Sequence, residues 1–207
     1  MKSNLNELYC LTEDQVKPAS KILSEAFYDD PISVYLIPDV SERKAKLKYV
    51  YEYVIRYDIL YGEVYATSPN LEGIAGWLHS ENAYTTIERQ IKSGGAKVIS
   101  KLGMEFYKKS KHVQEFTDLI HKKNAPFKHW CLDQFGVDPN FQGKGFAGVL
   151  LKAMFTRVDP EGVPIYVETH KEKNVAIYQH YGFEILEDTM IPDTDIRKWA
   201  MLKEPSI

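Results

Sequence analysis

The segment Gln142-Gly143-Lys144-Gly145-Phe146-Ala147-Gly148 constrains this chain more than any other. Before it, residues 127–137 (FKHWCLDQFGV) read as the longest strand, followed by a turn at Asp138, Pro139 and Asn140. After it, Val149, Leu150, Met154 and Phe155 recur at the spacing of an amphipathic helix. Three glycines at such a junction let the backbone come close to something. The first N–H groups of the helix lack intrahelical partners and carry the positive end of its dipole, which suits a phosphate or pyrophosphate. A tight strand-to-helix turn that binds nothing uses glycine in the same way, so the motif alone leaves both readings open.

Gly143, Gly145 and Gly148 also spell GxGxxG, and Glu168 follows about 20 residues later, as in a dinucleotide-binding fold. Two mismatches argue against NAD. Five residues, Asp138 to Gln142, separate the strand from the first glycine, where that fold allows almost none. Beyond Glu168 only 169–207 remain, too little chain for the further βα units required.

The rest of the chain supplies the other layers. Thr12 with Gln15 has capping-box spacing and opens a helix whose apolar face runs through Val16, Ala19, Ile22, Leu23, Ala26 and Phe27, and Asp29, Asp30 and Pro31 end it. A second helix is predicted over 41–58. GEVYAT from Gly62 and GIAGWL from Gly73 read as a hairpin. Residues 79–126 turn helical, with a break or bend at Gly94 and Gly95. That stretch exceeds an ordinary connection, so it is a helical cover for the sheet or a substrate lid. Strands over 164–169, 183–189 and 196–202, with a helix over 174–181, complete the pattern, the last strand closing the sheet. With a short strand over 8–11 this makes an α/β (α+β) fold: a central mixed, mostly antiparallel sheet of about seven strands with helices on both faces. With 207 residues and no repeat or linker, we expect one domain over 1–207, with 79–126 as a helical insertion.

Composition narrows the function. Lys plus Arg number 26 against 29 Asp plus Glu, a net charge of −3 that offers no field for a polyphosphate chain, so nucleic acid is not an expected partner. Cys10 and Cys131 are too few for a disulfide framework or a four-thiolate zinc site, and the six histidines show no metal-binding spacing, so no metal is expected. The polar start and the lack of a long apolar run predict a cytoplasmic protein without a membrane span.

On these residues the sequence resembles the GNAT superfamily of N-acetyltransferases. Gln142, Gly145 and Ala147 match the Q/R-x-x-G-x-G/A loop of that family, and FGVDPNF matches its preceding strand and turn. Residues 166–183 (YVETHKEKNVAIYQHYGF) are similar to its later segment, with Asn174, Tyr178, Gly182 and Phe183 in the matching places. AFYDDPISVYLIPD and RKWAML resemble the branch containing puromycin N-acetyltransferase. The resemblance implies acetyl-CoA as cosubstrate. It places the pantetheine arm on the backbone of Phe135, Gly136 and Val137, and the pyrophosphate on Gln142 to Gly148. Lys144 adds a charge there or is simply solvated.

The resemblance also places Tyr178 where the family keeps the tyrosine that protonates the departing thiolate. Asn174 then bonds the cofactor arm or its bound water, or else caps the helix that follows. A backbone N–H near Val137 can meet the developing oxyanion. For the general base the candidates are Glu168, at a strand end beside His170, and Asp133. Strand alternation puts Asp133 on one side with His129, Cys131, Phe135 and Val137. The function implied is acetyl transfer to a primary amine, a small molecule rather than a protein terminus or lysine. An idle acyl-CoA-binding module is the alternative, and oligomeric state is left open.

Overall fold

Thr12 and Gln15 close the expected capping box, the Thr12 N–H donating to Gln15 Oε1 at 2.9 Å. After one tight turn the chain enters α1 (Val16–Ala26), which buries Val16, Ala19 and Leu23. Pro31 does more than stop it. Asp30 accepts from the Ile32 N–H at 3.1 Å, and Pro31 begins a short second helix, α2 (Pro31–Leu36), at the position where a missing N–H costs nothing. Asp39 then caps α3 (Val40–Tyr61), accepting from the Glu42 N–H at 2.7 Å. These details come from a computed structural model that describes residues 5–206, so the first residues of the polar start lie outside it.

Seven strands form one sheet in the order β1-β2-β3-β4-β5-β7-β6. They are β1 (Tyr9–Cys10), β2 (Gly62–Ala66), β3 (Gly73–His79), β4 (Trp130–Val137), β5 (Ile165–Thr169), β6 (Glu184–Met190) and β7 (Arg197–Lys203). Among the described residues only the β4–β5 pair is parallel. The last strand does not close the sheet as expected but inserts between β5 and β6. The reason lies in composition: β7 is buried from Lys198 onward, whereas β6, carrying Glu184, Glu187 and Asp188, is largely exposed and tolerates an edge.

Helices α6 (Phe146–Glu161) and α7 (Glu172–His180) cover one face, where Trp77, Leu132, Val167 and Met201 meet Leu150, Met154 and Tyr178. Helices α1 and α3 cover the other through Leu23, Leu47, Ile55, Val64 and Ile74. Gly94, at φ +97°, separates α4 (Ile87–Lys92) from α5 (Gly95–Asn124), and α5 kinks again at Gly103, φ +86°. The later half of α5 lays Ile120 on Tyr166, Ala200 and Leu202, and Val113 on Ile191 and Ile196. It therefore covers the β5–β7 side of the sheet. Among the described residues no helix is long and apolar enough to cross a membrane.

Two features of β4 shape the site. Its pairing with β5 ends at Leu132↔Val167, while its pairing with β3 continues to Val137↔Gly73. The backbone of 133–137 thus has an open edge on the β5 side. Within the β3 pairing, Trp77 opposes Leu132 and Gly76 opposes Gln134, which leaves Asp133 as the extra residue of a bulge. The bulge inverts alternation: Cys131 packs with Tyr57 and Leu78 on the α3 side, but Phe135 packs into the α6–α7 core. The expectation that Cys131, Asp133, Phe135 and Val137 share one side is corrected accordingly, because one inserted residue shifts a period of two.

Candidate active site

The loop after β4 is built by local hydrogen bonds. Asp138 accepts from the Asn140 N–H at 2.8 Å, and Gln142 Nε2 donates to the Val137 carbonyl at 3.2 Å, drawing the turn back over the strand end. Gly143 and Gly145 have φ of +77° and +87°, and no atom lies within 4 Å of where a Cβ would stand, so backbone conformation alone requires glycine there. Gly145 is the residue from which α6 starts. A Cβ on Gly148 would instead lie 2.4 Å from Tyr181 Oη, so that glycine serves close approach of the segment after α7.

A cleft of about 380 Å³ opens beside the free edge of β4. Every residue expected to hold the cofactor lines it except Lys144, which is exposed and donates to the Asn140 carbonyl at 3.1 Å over the Phe141 ring. Ala26, Phe27, Asp30, Lys171 and Lys173 also line it, in addition to the residues that the resemblance places at the cofactor. The HKEKN run was the available signal for the two lysines. Lys171 Nζ lies 3.8 Å from Asp30 Oδ2.

Asn174 does not cap its helix. Helix α7 begins two residues earlier, at Glu172, and the Asn174 amide donates back to Thr169 Oγ1 at 3.1 Å, tying the helix to the end of β5. Tyr178 faces the cleft from α7, 5 % exposed, its ring near Phe135 and Phe183. Its hydroxyl has no hydrogen-bond partner among the described residues. Burial pushes its pKa well above the usual phenol value, with the charge of Asp30 adding to the rise.

Glu168 is not among the residues lining this cleft. The Tyr166 hydroxyl donates to its Oε1 at 2.6 Å, and the ammonium of fully buried Lys198 donates to Oε2 and to Thr117 Oγ1. Both carboxylate oxygens are committed, a setting that differs from that of a free base. Asp133, also outside the lining of the cleft, accepts from Gln134 Nε2 at 3.2 Å. Protein surrounds it deeply, yet it is open to solvent. Desolvation raises its pKa, Gln134 and Asp58 oppose the rise, and the charge of Glu168 adds to it.

The fold also gathers His121, His129 and Cys131, which no sequence spacing announced, with ligand atoms within 4.8 Å of one another. His129 Nδ1 lies 2.7 Å from the Phe127 carbonyl, and its Nε2 lies 2.7 Å from His121 Nε2. Two nitrogens around one tetrahedral zinc stand about 3.3 Å apart, so this spacing is that of a hydrogen bond between two neutral rings. Burial is the main cause that lowers the pKa of both, His121 to about 3.

A mixed seven-stranded sheet that parts between two parallel strands, beside a glycine-shaped turn opening a helix, is the architecture of acetyltransferases. Residues 105–183 match the acetyltransferase (GNAT) family. An N-acetyltransferase of Schizosaccharomyces pombe, described as uncharacterized, is 31% identical over 200 residues, covering 91% of this chain and 79% of that protein. The structure of a histone acetyltransferase HPA2 and related acetyltransferase from Corynebacterium glutamicum superposes with a TM-score of 0.68 at 20% identity, over 100% of this chain and 98% of the other. Arylalkylamine N-acetyltransferase 2 from Aedes aegypti gives 0.62 at 15% identity, over 96% and 98%. The chain belongs to the GNAT acetyltransferase family and is an N-acetyltransferase. Enzymes of this family use acetyl-CoA as the acetyl donor.

Proposed function

We propose that this N-acetyltransferase transfers the acetyl group of acetyl-CoA to a primary amine of a small molecule by direct attack on the thioester. The observation that carries this reading is the shared cleft: the open edge of β4, the glycine turn with the first amides of α6, and the free hydroxyl of Tyr178 all face one space. The amides of Phe146, Ala147 and Gly148 suit a pyrophosphate, and Lys171 and Lys173 add positive charge without a basic surface elsewhere. The edge from Phe135 to Val137 can pair with a chain of amides, and an N–H there is placed for an oxyanion. Acetyl-CoA supplies an activated acyl carbon when bound. Tyr178 holds a proton for the sulfur side, and Asp133 accepts one from the nitrogen side. Glu168, neutralised by Lys198, orders the wall instead.

Small amines are favoured by the exposed carboxylate of Asp133 next to the tyrosines of α3, which suits a cation with an apolar body. Solved acetyltransferases of the same fold include enzymes for arylalkylamines, polyamines and agmatine. We carry the likeness to the puromycin branch only as a lineage, since one fold hosts many acceptors. We also treat 1–207 as one domain with 79–126 inserted. Thiol release measured with a panel of arylalkylamines, diamines and aminonucleosides tests the reading. Amine-dependent release is expected. Calorimetric binding of acetyl-CoA with no release for any amine overturns it.

The turn gives a separate prediction. Gly145→Ala forces a left-handed backbone on a residue with a Cβ, a cost of about 1–2 kcal/mol with no steric contact to add. Where the alanine turn relaxes out of that conformation, binding must restore it, so acetyl-CoA should bind up to about tenfold more weakly by calorimetry, 1.4 kcal/mol being tenfold in affinity. Gly145→Asn, which tolerates that conformation better, should lose less.

A further inference from the structure

Asp58 is fully buried on α3, and neither of its carboxylate oxygens has a donor among the described residues. It rests directly on the sheet: a Cβ on Gly76 would stand 2.1 Å from Asp58 Oδ2, so the glycine makes the space this carboxyl occupies. Gly76 pairs with Gln134 at the bulge, where Asp133 is the inserted residue, and the polar group within reach of Asp58 is the Asp133 carboxyl. An ionised carboxylate stripped of water and of donors is among the most costly groups a protein can bury, and two adjacent carboxylates do not both ionise.

We infer that Asp58 is a positioning residue that keeps its proton and donates it as a hydrogen bond to Asp133, leaving solvent-exposed Asp133 as the carboxylate that accepts the proton of the attacking amine. The amine N–H bond breaks as an O–H bond forms on Asp133, which then returns the proton to water. Asp133 stays on the α3 side with Cys131, where it meets Asp58, and the bulge turns the strand over only after it, sending Phe135 to the other layer. The inference rests on the acetyl-transfer reading with Asp133 as base.

The other groups around the pair do not supply the missing donor. From α3, the Tyr57 hydroxyl donates to the Asn82 carbonyl at 2.8 Å, and Tyr51 and Tyr53, phenols kept neutral by burial, make no hydrogen bond to either Asp58 oxygen. From β5, Glu168 is bound to Lys198. On β4, Cys131 is a thiol kept protonated by burial, and Gln134 donates to Asp133 rather than to Asp58. The pair therefore titrates as a unit in which one proton is retained while the exposed member exchanges. Burial raises the pKa of Asp58 far above the ordinary range, and the charge of Asp133 reinforces it.

The test uses the full chain with Asp58→Asn, Asp58→Leu and Asp133→Asn. An amide at position 58 donates as the protonated acid does, so Asp58→Asn should keep the acidic limb of kcat/KM in place. Asp58→Leu removes the donor and should move that limb up by about one pH unit. A limb that moves down in Asp58→Asn would show that position 58 carried a charge and would overturn the inference, as would an unmoved limb in Asp58→Leu. An arm independent of activity guards against misfolding of the leucine variant. The infrared carbonyl band of a protonated carboxyl should persist at about pH 8 in the wild type and vanish in Asp58→Asn; its absence from the wild type overturns the inference. If the band is present and Asp133→Asn keeps both rate and limb, the carboxyl pair stands and only the assignment of Asp133 as base fails.

Discussion

Replacing Tyr178 by Phe is expected to lower kcat about 10²-fold while leaving the affinity for acetyl-CoA within a factor of about two. The size follows from the state of the phenol. Burial keeps Tyr178 protonated far above neutrality, so outright proton transfer to a thiolate, whose conjugate thiol titrates near ~8.5, is uphill. What the hydroxyl supplies first is a hydrogen bond to a developing anion, worth about 1.5–3 kcal/mol, or roughly 10- to 150-fold. Because that interaction strengthens only as sulfur leaves, the loss should fall on kcat and spare binding. Stability should change little, since the variant removes a hydroxyl with no protein partner. Stopped-flow thiol release and calorimetry measure the two quantities separately. A wild-type kcat in the variant removes Tyr178 from the reaction.

What could be read from the chain beforehand, and what could not, divides by sequence separation. The glycine turn, Tyr178 and the strand before the turn are local: strand, turn and helix signals within about 50 residues fix which backbone faces the cleft. Hence nearly all the residues named for the cofactor line one space, and the seven strands appear close to their expected bounds. Alternation along β4 fails after Asp133, because a bulge is set by the pairing with a neighbouring strand, here between Gly76 and Trp77 of β3. Asn174 misled for a related reason. Its propensity as a cap is real, but the helix already begins at Glu172 with Lys171 as the flanking residue, and Thr169 offers the amide a partner.

Pairings across long separations were invisible. Lys198 meets Glu168 and Thr117, and Asp58 meets Asp133, each joining elements that only the sheet brings together. Composition cannot say which of these carboxylates is paired with a lysine and which is exposed. The fold decides it: Lys198 on β7 sits beside β5 because the last strand enters the sheet interior instead of closing its edge.

Lys198→Met should therefore be the most destabilising single change at the acceptor side, costing about 3–5 kcal/mol. The Lys198 side chain is 0 % exposed and its Glu168 partner 15 %, so solvent screens the pair little, and removal of the ammonium strands a carboxylate that Tyr166 alone can serve. At roughly 2–4 °C per kcal/mol for a chain of this size, the melting temperature should fall by about 10 °C. The double variant Lys198→Met with Glu168→Gln removes the charge left behind while keeping an acceptor for the Tyr166 hydroxyl, so it should regain most of that loss. Urea midpoints of the wild type, both single variants and the double variant close the cycle. A Lys198→Met variant within about 1 kcal/mol of wild type would mean that the pair is open to water. The kinetic half of the cycle addresses Glu168 directly: if its carboxylate orders the wall, the double variant keeps the acidic limb of kcat/KM, whereas a base at this position would take the limb with it.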